Sequence, residues 1–266
     1  MQLQQKLLIL NELYRDYRNA FPFESWDSKI KEEVKNTFTY HSTKIEGLTL
    51  TYAETLRFLR DGTTKLGANL KDLSDLKNHR EVLDTIFSTY ETLDLSESVI
   101  KKLHGDLMKD PYQWEVIDPL TGGPGEYKME VNATIRPDNH IHEYLAPEKV
   151  ESAMSQLIFQ TNELLGKSST KEYLTHPVRI SAIFHYQFLN VIHPFWDGNG
   201  RMARLLSSLI LLKTGFPPLN IQASDKSRYI HSLIESEKDP ERSPLVQFFF
   251  DSVISTLKAR LNDSSE

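Results

Sequence analysis

Residues 193–204, His-Pro-Phe-Trp-Asp-Gly-Asn-Gly-Arg-Met-Ala-Arg, gather a base, a carboxylate, two glycines and two guanidiniums into one short stretch. No other part of the chain is as dense in reactive side chains. His193 has an ordinary pKa of about 6.5, so at neutral pH it can take a proton from an attacking hydroxyl. Asp197 offers the hard oxygen that Mg²⁺ prefers when it bridges phosphates. Gly198 and Gly200 open backbone conformations and close approaches denied to other residues. The apolar run after them starts a helix whose first N–H groups face back to the loop, which makes an anion site. Asn199 and the amides around the glycines can donate to phosphoryl oxygens. Arg201 and Arg204 share one helix face, and each guanidinium can fork onto a phosphate. Together these residues describe a site where a hydroxyl attacks a nucleoside polyphosphate. A plain helix–loop–helix corner would account for Gly198 and Asn199, but not for His193 with two arginines. A P-loop is excluded, because a Gly, a four-residue gap and Gly-Lys-Ser/Thr do not occur in that order.

Such a loop needs rigid supports on both sides. Over residues 176–192 the apolar positions Val178, Ile180, Ala182, Ile183, Phe184, Phe188, Leu189 and Val191 go most of the way round a helix. Leu205, Leu206, Leu209, Ile210, Leu211 and Leu212 do the same on the other side. Helices apolar on every face sit in the middle of a bundle. The remaining pattern is helical as well, over residues 2–20, 28–46, a stretch opened by a capping box at Thr51 and Glu54, 70–91, a helix capped by Ser96, 150–165, 226–237 and 244–261. One region has another texture. Between Pro111 and Pro147 turn residues such as Pro119, Gly122, Gly123, Pro124, Gly125, Pro137 and Asn139 alternate with Tyr127, Met129, Val131 and Ile135, which predicts an extended arm or a β-hairpin. The polar tail 262–266 reads as frayed. The fold class is mainly α, a helical bundle with one hairpin.

Composition sets the outer limits. The chain has 266 residues, 39% hydrophobic and 26% charged, enough for a core of its own. A net charge of −6 with dispersed basic residues gives no pull toward nucleic acid or an anionic membrane. There is no cysteine, hence no disulfide frame and no thiolate chemistry. No run approaches the roughly 20 apolar residues of a membrane span, so a cytoplasmic protein is expected. His140 and His142 alternate onto one face of the arm and could bind a metal, but no third ligand stands at a recognisable spacing. His176 and His185 read as hydrogen-bonded core residues.

At every fixed position residues 193–204 resemble the Fic-domain signature, His-x-Phe-x-Asp/Glu-Gly-Asn-Gly-Arg-x-x-Arg. His185-Tyr186-Gln187-Phe188 resembles the helix that precedes it in that family. Gly125-Glu126-Tyr127-Lys128, followed by residues 131–135, resembles the family's hairpin flap. The resemblance implies a Fic fold, and transfer of AMP from ATP to a Ser, Thr or Tyr hydroxyl of a target protein, with automodification also possible. On that footing His193 is the base, and Asp197 the Mg²⁺ ligand. Gly198, Asn199 and Gly200 cradle the α- and β-phosphates, and Arg201 and Arg204 clamp the triphosphate. Tyr127, Val131, Asn132 and Thr134 form the flap. Two flap details depart from the pattern: Lys128 stands where arginine is expected, and Ala146-Pro147 where two prolines are common. Tyr229 falls where the family places aromatics near the adenine, while a core aromatic on a helix explains it equally well.

Ser42-Thr43-Lys44-Ile45-Glu46-Gly47 fits the family's inhibitory pattern Ser/Thr-x-x-x-Glu-Gly/Asn. Ser42 and Glu46 would lie on one helix face, with the carboxylate reaching Arg204 in place of the ATP γ-phosphate. The chain therefore divides into an N-terminal helical region with the inhibitory helix, residues 1–95, and a catalytic core, residues 96–266. Two other readings stay open: a related enzyme using UMP or phosphocholine donors or removing AMP, and a nucleotide-binding regulatory module with little turnover. Target, acceptor residue and oligomeric state are not legible.

Overall fold

The computed structural model describes residues 2–109, 121–239 and 241–263, in which ten α-helices carry one two-stranded sheet. The first four helices are α1 (Gln2–Ala20), α2 (Ser28–Ile45), α3 (Tyr52–Asp61) and α4 (Leu70–Thr89). Their starts follow local chemistry. Asp27 caps α2 by accepting the Ile30 N–H, and Thr51 and Glu54 form the expected reciprocal capping box on α3. Helix α5 (Glu97–Leu107) begins on Ser96, which accepts the Val99 N–H. The hairpin pairs β1 (Ala133–Ile135) with β2 (Ile141–Glu143) antiparallel, Thr134 opposite His142. Of the arm expected from Pro111 onward, Pro111 and Pro119 lie outside the described residues, as does the end of the tail.

Helix α6 (Pro147–Gly166) starts three residues earlier than the apolar pattern alone predicts, because Pro147 suits the first turn, where no N–H partner is needed. Next come α7 (Pro177–Tyr186), α8 (Asn199–Lys213), α9 (Lys226–Ser236) and α10 (Ser243–Asp263). The helix read over 176–192 is in fact two segments. His176 is not inside α7 but caps it, its Nδ1 accepting the Val178 N–H, and beyond Tyr186 the chain widens into a π-helical turn over Gln187–Ile192. That extra residue per turn ends with His193 in the left-handed region at φ +48, its N–H bonded to the Phe188 carbonyl.

Helix α8 is the axis of the molecule. Every residue from Arg201 to Leu212 is buried, and α7 lies along it, with α10 packed on the other side of α7. Each fully buried leucine there contributes about 1.5–3 kcal/mol of hydrophobic stabilisation. Helices α2 and α4 pack on one another and both reach α8, while α1 lies along α10. The loop 193–198 is thus held between two helices that cannot shift without opening the core.

Candidate active site

The ring of His193 stacks on Tyr144, with centroids 3.7 Å apart and planes at 13°. Its Nδ1 donates to the Leu189 carbonyl at 2.8 Å. A carbonyl cannot donate, so this bond fixes the proton on Nδ1 and leaves the lone pair on Nε2. Burial pushes the imidazole down to about 4, so the ring is neutral at physiological pH. His193 is therefore a free base with its tautomer set by the backbone.

Asp197 is the exposed carboxylate of the loop. Its Oδ1 accepts the Gly198 N–H at 2.6 Å, and its Oδ2 stands 3.9 Å from Arg201 Nη2. One hard oxygen on the wall of a cavity suits a divalent cation whose other ligands are phosphate oxygens and water. Gly198 caps α8 in the left-handed region at φ +79, and a Cβ there would stand 2.9 Å from Met108 Sδ. Asn199, read as a phosphate donor, has its side chain buried and turned inward: Nδ2 donates to the Phe195 carbonyl at 2.7 Å and Oδ1 accepts the Phe195 N–H at 3.0 Å. That side chain braces the loop, and only backbone amides remain for an anion at the α8 N-terminus.

The two arginines differ. Arg201 bonds Asp75 on α4, and its other nitrogen reaches Met108 Sδ at 3.2 Å. Burial would raise the Asp75 pKa, but Arg201 and Lys71 outweigh it and hold the carboxyl below its ordinary value. Arg204, 2% exposed, is gripped by one turn of α2. Its Nε donates to Ser42 Oγ and its Nη2 to the Ser42 carbonyl, both at 2.9 Å, and Nη2 meets Glu46 Oε1 at 2.6 Å. Glu46 also covers the start of α8, since a Cβ on Gly200 would collide with Glu46 Oε1. A carboxylate thus lies between Arg204 and the N-terminus of α8.

Tyr229 is buried, and its hydroxyl meets His185 Nε2 at 2.6 Å. Ser207 Oγ donates to the Ala203 carbonyl and so accepts from His185 Nδ1, which makes Tyr229 the donor to Nε2. Its hydroxyl is held by His185, and the residue lines the cavity.

The cavity measures about 590 Å³ and is walled by Glu46, His193, Asp197, Gly200, Arg204 and Tyr229 together with the hairpin. That volume is typical of small-molecule sites. Of the flap residues, Thr134 lines this cavity and Val131 is 58% exposed. Tyr127 and Asn132 lie outside the strands. Tyr127 packs near Phe195, with centroids 5.5 Å apart, and Asn132 Nδ2 donates to the Phe195 carbonyl at 3.2 Å. The hairpin is tethered by Arg136 to Glu237, the C-cap of α9, and by His142 Nε2, which donates to the Asn190 carbonyl at 2.8 Å. Its Nδ1 accepts from Arg136, so both ring nitrogens of His142 are engaged and neither is open to a metal shared with His140.

Three contributors escaped the sequence reading. Tyr144 stacks under the base, Asp75 holds Arg201, and His104 of α5 donates through Nε2 to the Asp197 carbonyl at 3.0 Å while its Nδ1 accepts the Gly125 N–H at 2.9 Å. Asp75 lies 126 residues from its partner and His104 lies 93 from Asp197, so no local spacing announces either. A histidine on the apolar face of α5 was the one visible signal.

Residues 94–211 match the model of the Fic/DOC family. Over 245 residues the chain is 29% identical to the protein adenylyltransferase Fic of Drosophila melanogaster and to that of Drosophila simulans. Those alignments cover 90% of this chain but 44% of each relative, so the chain spans less than half the length of the curated relatives it matches. A Fic domain containing signaling protein from Bacteroides thetaiotaomicron is 28% identical and superposes with a TM-score of 0.85 over 97% of each chain. A Fic family protein from Desulfovibrio desulfuricans, 22% identical, shares the fold with a TM-score of 0.77, over 98% of this chain and 74% of its own.

Proposed function

The chain is a Fic-family protein, its family domain lying over residues 94–211, and from that premise we propose that it is an autoinhibited protein adenylyltransferase. The observation that carries this reading is the neutral, tautomer-fixed His193 standing on the wall of one cavity with Asp197, the α8 N-terminus and Arg204. In the reaction a Ser, Thr or Tyr oxygen of a target protein attacks the α-phosphorus of ATP. The new P–O bond forms as the bond to the β-phosphate oxygen breaks, pyrophosphate leaves, and the hydroxyl proton passes to His193 Nε2.

Each residue then has a separable task. The backbone amides of Asn199 and Gly200 receive phosphate oxygens at the positive end of α8, while the Gly198 N–H holds Asp197. Arg204 grips the end of the triphosphate, and Arg201, tied to Asp75, supports the β-phosphate region from behind. Asp197 would hold Mg²⁺, which supplies charge neutralisation to the phosphates. Tyr229, which lines the cavity, offers an apolar wall to the adenine. The hairpin, with its exposed strands, offers a backbone edge on which an extended target segment can align its hydroxyl.

Ser42 and Glu46 turn this site down. With Glu46 paired to Arg204, the place of the terminal phosphate is taken and ATP cannot lie in the in-line geometry that transfer requires. Residues 1–95 are then the regulatory region and residues 96–266 the catalytic core, in a protein we expect in the cytoplasm. Incubation with ATP, UTP or CDP-choline labelled in the transferred group, alone and with cell extract, tests the reading. Label moving from ATP into protein, and lost with His193→Ala, supports it, whereas transfer from another donor only, or release of AMP from modified protein only, replaces it.

A further inference from the structure

Lys128 is 2% exposed, yet among the described residues it has no carboxylate partner. Its ammonium donates to Asn132 Oδ1 at 2.7 Å and to the Ile192 carbonyl at 3.2 Å, and it lies 5.7 Å from the centre of the Tyr144 ring. Its backbone N–H donates to the Pro194 carbonyl at 2.9 Å. These two carbonyls belong to the residues immediately before and after His193. Asn132, itself fixed by the ammonium, extends the clamp by donating to the Phe195 carbonyl. His193 needs such a clamp, because a left-handed backbone at a non-glycine residue is strained and persists only where its surroundings enforce it.

A neutral donor could hold a carbonyl without the desolvation that burying an unpaired ammonium entails. What the charge adds is a field. It opposes a second positive charge on the imidazole and so helps to keep the Nε2 lone pair available. We propose that Lys128 is a positioning residue for the base, its ammonium holding Asn132 and the Ile192 carbonyl so that His193 keeps its left-handed backbone, and its charge opposing a proton on the ring. The proposal rests on the reading of His193 as the base.

Two titratable groups face this ammonium: Tyr144 from the segment after β2, and His193 from the loop. Burial pushes Tyr144 up and His193 down to about 4, while burial pushes Lys128 down to about 8. The three protons therefore leave in well-separated ranges, and Lys128 loses its own near pH 8. The neutral amine keeps two N–H groups but loses the charge-assisted part of its bonds and the field on the base. An arginine keeps both, since its guanidinium does not deprotonate.

The test uses the full chain with Lys128, Lys128→Arg or Lys128→Met, each carrying Glu46→Gly to free the site. AMP transfer is followed from pH 6 to pH 10, and the ring resonances of His193 from pH 3 to pH 7, the range that spans its titration near 4. The Lys128 chain should lose rate through pH 8, reaching about a tenfold loss one unit higher, where about a tenth of the ammonium remains. Lys128→Arg should recover the neutral-pH rate and stay flat. Lys128→Met should be slower at every pH, on the order of 10–100-fold, with ATP affinity unchanged and the His193 titration moved upward. Identical pH profiles for the Lys128 and Lys128→Arg chains, or a folded Lys128→Met chain as fast as both, overturn the proposal. Should Lys128→Met fail to fold, the first comparison still decides. If no chain transfers label, the reading of the reaction fails and the resonances judge Lys128: an upward shift on Lys128→Met supports it, and an unmoved His193 overturns it.

Discussion

Replacing Glu46 by glycine should switch transfer on. In the structure the Glu46 carboxylate lies 2.6 Å from Arg204, an arginine 2% exposed, while its own side chain is 45% exposed. Opposite charges about 4 Å apart at an effective dielectric of about 20 attract by about 4 kcal/mol. Half-exposure of the carboxylate screens that attraction, and desolvation of the guanidinium offsets part of the remainder, leaving a bias of ~1–3 kcal/mol, a factor of about 5–150 on a coupled equilibrium. Glu46→Gly should therefore raise AMP transfer by ~10–100-fold, automodification included. ATP affinity should change far less, because the amides at the start of α8 bind phosphate in either state. Arg204 keeps its two bonds to Ser42 and so stays placed for the terminal phosphate. Label from [α-³²P]ATP appearing in protein gives the rate, and calorimetry with ATP and Mg²⁺ gives the affinity. Glu46→Gln separates charge from bulk, since it fills the same space beside Gly200 without the negative charge. A folded Glu46→Gly protein that binds ATP·Mg²⁺ but transfers no faster than wild type would falsify the inhibitory role of Glu46.

His193→Ala should lose about 10²–10⁴-fold in transfer while still binding ATP, and a rate unchanged in the Glu46→Gly background removes His193 as the base. Asp197→Ala and excess EDTA should each abolish transfer, and activity indifferent to both would reduce Asp197 to a loop cap. Acid should destabilise the fold through its buried histidines. Burial holds His104, His176 and His193 at about 4 and His185 at about 3 in the folded chain, against about 6.5 unfolded, so the unfolded state binds more protons between those values. Their contribution is complete above pH 6.5 and is lost as pH falls toward 4, each histidine adding a slope of up to ~1.4 kcal/mol per pH unit. Urea midpoints at pH 7.5, 6 and 5 should fall in that order, and a flat series refutes the reasoning.

The sequence by itself determined the helical class, most helix starts and the density of chemistry at residues 193–204, because each is written in near neighbours. A cap accepts an N–H two or three residues on, as Asp27, Thr51 and Ser96 do. An all-round apolar pattern requires burial wherever the helix goes, which is why α7 and α8 could be placed at the centre before any contact was known. The resemblance of residues 42–47 to the family's inhibitory pattern implied that Glu46 could meet Arg204, whereas the spacing of Ser42 and Glu46 alone is that of many helix ends, and the 2.6 Å contact requires α2 to be laid against α8 across 158 residues of chain.

Orientation was decided elsewhere. The direction of the Asn199 side chain, inward to Phe195 and away from the cavity, depends on the loop closing on itself around Gly198. The hydroxyl of Tyr229 is aimed by His185 and Ser207 on two other helices. The left-handed His193 follows from a π-helical turn that apolar periodicity cannot distinguish from ordinary helix over six residues, Gln187–Ile192. Asp75, His104 and Tyr144 carry no motif of their own. Each acquires a role only when packing brings it to the loop, because a hydrogen bond or a stacked ring is fixed by separations of a few ångströms, and only tertiary structure sets those between residues far apart in the chain.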